Sequence, residues 1–290
     1  MPEIPSPLID LLSAESFTAE HLPDAVNFCV YETAFPDKIR AAFPDNTIRL
    51  TIYGLNDSTL EAGLALKKLK AAGYQNVKVL AGGLEGWKAS GKAIEKGAAT
   101  VSQSVAGRYE VDQAASVAEW VGRNLFNRHA GTVQLGAGTI DFRNGLLVDG
   151  HLVVDMTTLR CTDITDPALN AHLIAHLKSD DFFSTEKYPN AEFNILTATV
   201  RDGVNPDEPN YRIRGDFTLR GVTQPLDLSA VVARKPGGAF TAQARLDIDR
   251  TLWGAIYGSA KFFGGLGQHL VNDVVHVYLK VVTKEYPVAH

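Results

Sequence analysis

Residues 48–59 read IRLTIYGLNDST, an apolar run followed by a short tract of polar, turn-forming residues. From residue 60 to residue 72 the apolar side chains recur at helical spacing. We expect a β-strand that delivers a tight loop onto the N-terminus of an α-helix. In such a loop the backbone amides and the helix dipole stabilise negative charge, so this unit is a ready cradle for an anion or a nucleophile. The loop contains no cysteine.

The flanking segments continue this βα pattern over residues 7–95. Asp10 ends an apolar run, and Gly91 closes the series. Between them stand EHLPDAVN at 20–27, AGYQNV at 72–77 and LAGGLEGW at 80–87. The order and spacing of these segments resemble a rhodanese domain. The resemblance implies a rhodanese-like α/β sandwich, in which helices cover both faces of a parallel sheet.

The same resemblance argues against sulfurtransferase activity. In the family a persulfide-carrying cysteine follows the central strand, and Gly54 stands at that position here. The family's loop arginine corresponds to Thr59, and a second arginine, after the first-strand Asp, is replaced near Leu11 and Leu12. We expect Gly54→Cys to restore little, because the glycine is expected to adopt a backbone conformation that cysteine disfavours. We predict no catalytic residue in this degenerate loop, which consists of Gly54, Leu55, Asn56, Asp57, Ser58 and Thr59.

The composition predicts a soluble protein of two domains. The 290 residues exceed a usual single core, and the net charge of −5, with no basic excess in either half, argues against nucleic acid as a partner. No apolar run approaches the roughly 20 residues of a membrane span, and the first residues do not resemble a signal peptide. Cys29 and Cys161 fall in different predicted domains, which fits a reducing compartment. We therefore expect a cytoplasmic protein.

The sequence pattern changes after residue 94. We predict a first domain at 1–98, a small polar linker at 99–106 and a second domain at 107–290. The second domain contains ten short runs separated by turn residues, which predicts a β-sandwich or barrel. The runs are 109–112, 118–125, 132–135, 139–142, 146–155, 191–200, 211–219, 226–232, 240–248 and 271–282.

One helix, at 166–177, is predicted to interrupt these strands. Asp163 or Thr165 is its expected N-cap. The apolar residues Leu169, Leu173, Ile174 and Leu177 have helical spacing and are expected to cover or plug the sheet.

Five motifs of the second domain resemble the YceI-like, polyisoprenoid-binding family. They are YEVD at 109–112, HLKSDDFF at 176–183, KYP at 187–189 with Phe193, GDFTLRGVTQP at 215–225 and LDIDRTLWG at 246–254. The resemblance implies a lipocalin-like antiparallel β-barrel with a helix insertion and an apolar tunnel for a long isoprenoid chain. Barrel topology alone does not decide between an open interior and one filled by side chains.

Apolar and aromatic residues of these runs are the candidate ligand-binding residues. Phe182, Phe183 and Tyr188 are the preferred tunnel wall, since a loop after a helix can close a barrel mouth. Each candidate also fits a packed core. The full set is Trp120, Leu125, Phe126, Val133, Met156, Phe182, Phe183, Tyr188, Phe193, Trp253 and Phe262.

We predict no cofactor and no metal. His172 and His176 are four residues apart on the predicted helix, a spacing that places two imidazoles on one face, and a metal site there would need His129 or Asp155 as a further ligand. No further ligand stands at a recognisable spacing, so a partly exposed helix face is the favoured interpretation.

Three functions remain open at this point. The preferred one is a non-catalytic carrier for an apolar small molecule (isoprenoid, quinone or fatty acid), with the rhodanese-like domain as an interaction module for a protein partner. The alternative is an enzyme that acts on a lipid or quinone-like substrate with His129, Asp155 or His176. The third is a structural protein with a filled barrel. The oligomeric state also stays open, a homodimer included.

Overall fold

The computed structural model describes residues 6–96, 106–205, 207–235 and 237–285. The chain divides into two compact units, Met1–Gln103 and Ser104–His290. Residues 99–105 of the predicted linker lie outside the described residues, so the linker and the exact domain bounds stay predictions. No helix within the described ranges is long and apolar enough to cross a membrane.

The first unit is built on a four-stranded parallel sheet, as predicted. The strands are β1 (Leu8–Asp10), β2 (Ala25–Asn27), β3 (Leu50–Tyr53) and β4 (Val77–Val79), in the order β2-β1-β3-β4. The helices are α1 (Ala14–Ala19), α2 (Phe35–Ala42), α3 (Glu61–Ala71) and α4 (Gly83–Ala89). This arrangement confirms the α/β fold class.

Both faces of this sheet are buried. Ile9 and Ile52 pack on one face in a core that includes Leu69 of α3. Tyr53, the last residue of β3, packs in a separate core with Leu84 of α4. Successive strand residues therefore face opposite helical layers, which explains why the strands read as continuous apolar runs.

All ten runs predicted for the second unit are strands. They are β5 (Gly107–Glu110), β6 (Val117–Arg123), β7 (Arg128–Leu135), β8 (Thr139–Arg143), β9 (Leu146–Cys161), β10 (Asn190–Val200), β11 (Tyr211–Leu219), β12 (Val222–Arg234), β13 (Phe240–Asp249) and β14 (Val274–Val282). Their pairing is antiparallel, in the order β10-β11-β12-β13-β14-β6-β7-β9, and a pairing of β10 with β9 closes the ring. The result is the predicted lipocalin-like barrel, with eight strands.

Strand β9 is the longest strand and joins three neighbours. It pairs with β7, β8 and β10, so it belongs to the closed ring and also carries β8 and β5 outside it. A closed ring leaves no unpaired edge, and its interior positions alternate with exterior positions along each strand. Every inward position therefore faces the same enclosed space.

Helix α5 (Pro167–Lys178) lies where a helix was predicted, but its N-cap differs from both candidates. Asp166 caps it, because its carboxylate accepts hydrogen bonds from the amides of Ala168 and Leu169 at 2.9 Å each. Asp163 accepts from the Ala130 amide instead. Leu173, Ile174 and Leu177 pack against the barrel core as expected, whereas Leu169 is exposed. The helix covers the barrel with the C-terminal part of its apolar face.

Candidate functional site

The barrel encloses a cavity of about 410 Å³. Its wall is formed mainly by apolar side chains from β6, β7, β9, β10, β11, β12, β13 and β14 and from α5. Ala118 illustrates how the strands build it: the residue lies opposite Val133 on one side and Leu279 on the other, and all three line the cavity. The barrel is therefore not filled by its own side chains.

Six of the predicted binding residues line this cavity. They are Trp120, Val133, Met156, Phe182, Phe183 and Phe193. The six come from four strands of the ring and from the segment after α5, so the fold gathers residues that lie far apart in sequence. That they contact a ligand stays a prediction.

Three predicted binding residues are on the surface instead. Leu125 and Phe126 occupy the turn between β6 and β7, and Phe262 lies in the loop before β14. All three are exposed, and none lines the cavity. The prediction placed them in the wall because they are large and apolar, but turn residues do not take part in the inward and outward alternation of a strand.

Two further predicted binding residues belong to the packing of the barrel. Trp253 is buried, donates its indole N–H to the Phe217 carbonyl at 3.0 Å, and does not line the cavity. Tyr188 packs against Gly221, where an added Cβ would lie 2.5 Å from the tyrosine ring. Gly221 also has a φ of 73°, which favours glycine. Of the preferred tunnel wall, Phe182 and Phe183 therefore line the cavity and Tyr188 does not.

Most of the wall consists of aliphatic residues that the sequence prediction did not select. Pairs such as Leu226 with Leu228 and Leu246 with Ile248 stand two residues apart on their strands and face the cavity. This spacing was visible in the sequence, but the prediction gave priority to aromatic side chains. The other aliphatic residues are Ala118, Leu135, Leu152, Val154, Leu159, Leu173, Leu177, Ala191, Leu219, Leu270, Val271, Val275, Val277 and Leu279, and the aromatic Phe217 also lines the cavity.

The cavity also has polar lining residues, of which Arg250 is the most buried, at 2% exposure. Its guanidinium donates to the carbonyls of Asn272, Tyr257 and Val271 at 2.8–3.1 Å, and also to that of Ala255. Burial lowers the pKa of this guanidinium, and the charge of nearby Asp273 opposes that shift. Since most of its N–H groups donate to backbone carbonyls, Arg250 holds together the loop segments that precede β14.

The residues of the enzyme alternative are only partly brought together. His129 and His176 line the cavity, and Asp155 does not. A ring nitrogen of His129 lies 3.2 Å from Asp163, and one of His176 lies 3.2 Å from Asp181. Within the described residues, no group of three His, Cys, Asp or Glu side chains could hold a metal ion. Each histidine is thus paired with its own aspartate.

The loop of the first unit places Gly54 directly after β3, as predicted. An added Cβ at Gly54 would lie 2.8 Å from Oε2 of Glu61 and 2.9 Å from its Cβ. The backbone of Gly54 is not left-handed, so the expectation of an unfavourable backbone conformation was wrong. The obstacle to a side chain at this position is Glu61.

Glu61 is held in this place by hydrogen bonds. The Tyr31 hydroxyl donates to Glu61 Oε1 at 2.9 Å, and only 8% of the residue is exposed. Burial acts to raise the pKa of Glu61, but hydrogen bonds from Thr59, Tyr31 and backbone amides outweigh it and hold the pKa below its ordinary value. Asp57 is also engaged, since it accepts from the Gly82 amide at 2.8 Å. Two carboxylates of the chain, those of Glu61 and Asp57, therefore lie at the loop that follows β3.

The fold and the cavity define a class of protein: an α/β unit joined to a lipocalin-like barrel with an apolar interior. A family model of the YceI-like domain matches residues 109–283, so the chain belongs to the YceI-like family. A family model of the Rhodanese-like domain matches residues 1–90.

Curated relatives match parts of this chain. A UPF0312 protein of Shewanella denitrificans is 44% identical over 108 residues, which is 36% of this chain and 51% of that protein. A UPF0312 protein of Photorhabdus laumondii is 41% identical over 70 residues, 23% of this chain and 33% of that protein. Protein YceI of Escherichia coli O157:H7 is 47% identical over 55 residues, 19% and 26% of the two chains. The chain thus spans from about a quarter to about half the length of these relatives.

Solved structures that are similar to this chain include BcnA of Burkholderia cenocepacia, at 19% identity and a TM-score of 0.47 over 60% of this chain and 99% of that chain. A polyisoprenoid binding domain from Saccharophagus degradans has 14% identity and a TM-score of 0.44 over 61% and 98% of the two chains.

Proposed function

We propose that the barrel binds one slender apolar molecule and carries it without changing it. The observation that supports this function is the 410 Å³ cavity with a predominantly apolar wall. Ligand pockets commonly measure about 300–1,000 Å³ and are lined by hydrophobic and aromatic side chains with few polar groups. An isoprenoid, a quinone or a fatty acid has the shape and polarity that such a space accepts.

The energetics favour a ligand with a chain of several carbons. Each buried methylene contributes about 0.8 kcal/mol, so ten carbons, or two isoprene units, contribute about 8 kcal/mol. This gain is of the same order as the estimated 4–15 kcal/mol lost in translational and rotational freedom on association. Longer chains therefore bind more tightly, up to the length that the cavity holds.

Trp120 favours a ligand with an oxygen acceptor. This residue lines the cavity, and its buried indole N–H donates to no described residue. A buried donor without a partner costs about 1–3 kcal/mol. A quinone carbonyl or a carboxylate placed beside Trp120 would satisfy it, whereas a pure hydrocarbon would not.

The rhodanese-like unit serves, in this proposal, as a non-catalytic interaction module for a protein partner. Gly54 provides no nucleophile, and Glu61 and Asp57 place negative charge where an anionic sulfur donor would have to bind. The cytoplasm is the proposed location, and a homodimer remains a proposal as well.

Mass spectrometry of organic extracts from the purified full-length protein tests the carrier function. We expect an apolar molecule in an amount that approaches one per chain. The extract of Ala118→Phe, which inserts a ring between Val133 and Leu279, should contain little of it. The same molecule at equal yield in the wild type and in Ala118→Phe would mean that it binds elsewhere.

A further inference from the structure

Two loops beside the cavity carry large apolar side chains that face solvent. In the turn between β6 and β7, Leu125 and Phe126 are 58% and 71% exposed. In the loop between Gly258 and Val271, Phe262 and Phe263 are 54% and 45% exposed. Single exposed apolar residues are ordinary, but four large ones in adjacent loops mark an interaction surface. We call Leu125, Phe126, Phe262 and Phe263 the apolar rim.

The two loops meet at one end of the cavity. Asn124 forms a β-bridge with Val271, and the Asn272 amide donates to the Arg123 carbonyl at 2.9 Å. The Val271 amide donates to the Gly258 carbonyl at 2.8 Å, so the second loop begins and ends beside the first. Arg123, Asn124 and residues 268–272 also line the cavity. The apolar rim therefore belongs to loops that border the cavity itself.

Hydrogen bonds fix the bases of both loops. The side chain of Asn124 accepts from the amides of Phe126 and Asn127 at 2.9 and 2.6 Å. In the second loop, the amides of Phe262 and Phe263 both donate to the Ser259 carbonyl. These bonds order the rim, so binding through its exposed side chains need not first order a disordered segment.

Positive charge stands next to the rim. Arg123 and Arg128 lie directly opposite each other on β6 and β7, and both are exposed. Like charges at such a cross-strand pair are destabilising. Within the described part of the chain, neither arginine forms an ion pair. An external anion beside Phe126 would relieve this repulsion.

We propose that the apolar rim docks on the surface of an anionic lipid bilayer. The aromatic side chains insert between the headgroups, and lipid phosphates bind to Arg123 and Arg128, as in other interfacial elements that combine apolar and basic residues. The inference rests on the proposed function in one respect. Docking would bring the cavity to the lipid bilayer, from which the carrier takes its apolar ligand or to which it returns the ligand.

Flotation of the full-length protein with vesicles tests the docking. We expect binding to vesicles of phosphatidylglycerol and phosphatidylcholine, and weaker binding to phosphatidylcholine alone. Phe126→Ser combined with Phe262→Ser should weaken partitioning by about tenfold or more, because two inserted rings are lost. Arg128→Gln should weaken binding to the anionic vesicles by about fivefold and leave binding to neutral vesicles unchanged.

Leu196→Ser is the matched control. Leu196 on β10 is 57% exposed and belongs to neither loop, so its variant should float like the wild type. Failure of the wild type to float, or flotation of the rim variant at the wild-type level, would overturn the proposal. If the wild type did not float but formed dimers in sedimentation velocity, and the rim variant did not form them, the rim would be an interface with a second copy of the chain.

A solution assay separates this inference from the proposed function. Phe126 does not line the cavity, so Phe126→Ser should bind a fluorescent prenyl probe like the wild type. Flotation of a wild type that binds no probe would support docking and contradict the carrier function. Probe binding without flotation would overturn the docking alone.

Discussion

Replacing Gly54 by alanine tests whether Glu61 fills the place of the missing nucleophile. The added methyl would lie 2.8 and 2.9 Å from two Glu61 atoms, closer than an ordinary van der Waals contact. Because the backbone at Gly54 is not left-handed, the strain would come from this contact alone.

The expected loss of stability follows from the crowding. Overpacking of a close-packed site typically costs about 1–3 kcal/mol. Glu61→Gly removes both contacting atoms, but by itself it also removes the hydrogen bond from Tyr31, which costs about 1 kcal/mol or more. In the double variant the methyl has room, so its loss of stability should be smaller than the sum of the two single losses by about 1–2 kcal/mol.

Urea unfolding of the full-length chain measures these differences. Hydrogen exchange of peptides from β3 and α3, followed by mass spectrometry, reports on the first unit separately from the barrel. Gly63→Ala is the control within α3, because an added Cβ there meets nothing within 4 Å. It should stabilise the unit by about 0.5–1 kcal/mol. The steric role of Glu61 would be refuted if Gly54→Ala left the stability of the first unit unchanged. It would also be refuted if the loss of stability in the double variant equalled the sum of the two single losses.

Three further predictions concern both units. Phe183→Asp should weaken binding of a fluorescent prenyl probe by at least about tenfold, because it places a carboxylate in an apolar wall, whereas Leu196→Asp on the outer surface should not; equal affinities would remove Phe183 from the site. The full-length protein should show no thiosulfate sulfurtransferase turnover above a no-enzyme control, and turnover that Cys29→Ser abolishes would show a nucleophile outside the loop. Since the folded-state pKa of Glu61 is lowered, its ionisation stabilises the first unit above the ordinary value of 4.5, and this contribution is lost as the pH falls through the lowered pKa. Stability measured by exchange should therefore fall less on acidification in Glu61→Gln than in the wild type, and parallel pH profiles would contradict this.

The pattern of short apolar runs was sufficient to place every strand of the barrel. Local periodicity, as at Leu226 and Leu228, reports which side of a strand is buried. It does not report that β10 pairs with β9, because ring closure joins segments separated by a helix. The choice of a barrel over a sandwich came from the resemblance of whole motifs to a family.

The candidate site was predictable only where its residues lie within strands. Phe193 and Met156 stand within strands, where alternation places them inside, and they line the cavity. Phe126 and Phe262 stand in turns, where size and polarity do not determine direction. The contact between Gly54 and Glu61 was not predictable, since it depends on how the loop folds back onto the first turn of α3.

Titration of the full-length protein with a fluorescent prenyl probe, in wild type and Ala118→Phe, tests the central claim most directly. The ring added at Ala118 would enter the space between Val133 and Leu279, whereas Ala175→Phe adds the same ring on an exposed face of α5. We predict saturable binding of one probe per chain for the wild type and for Ala175→Phe, and at least about tenfold weaker binding for a folded Ala118→Phe, because overpacking displaces the ligand. No saturable binding by the wild type, or equal affinity in Ala118→Phe, would contradict a ligand site inside the barrel.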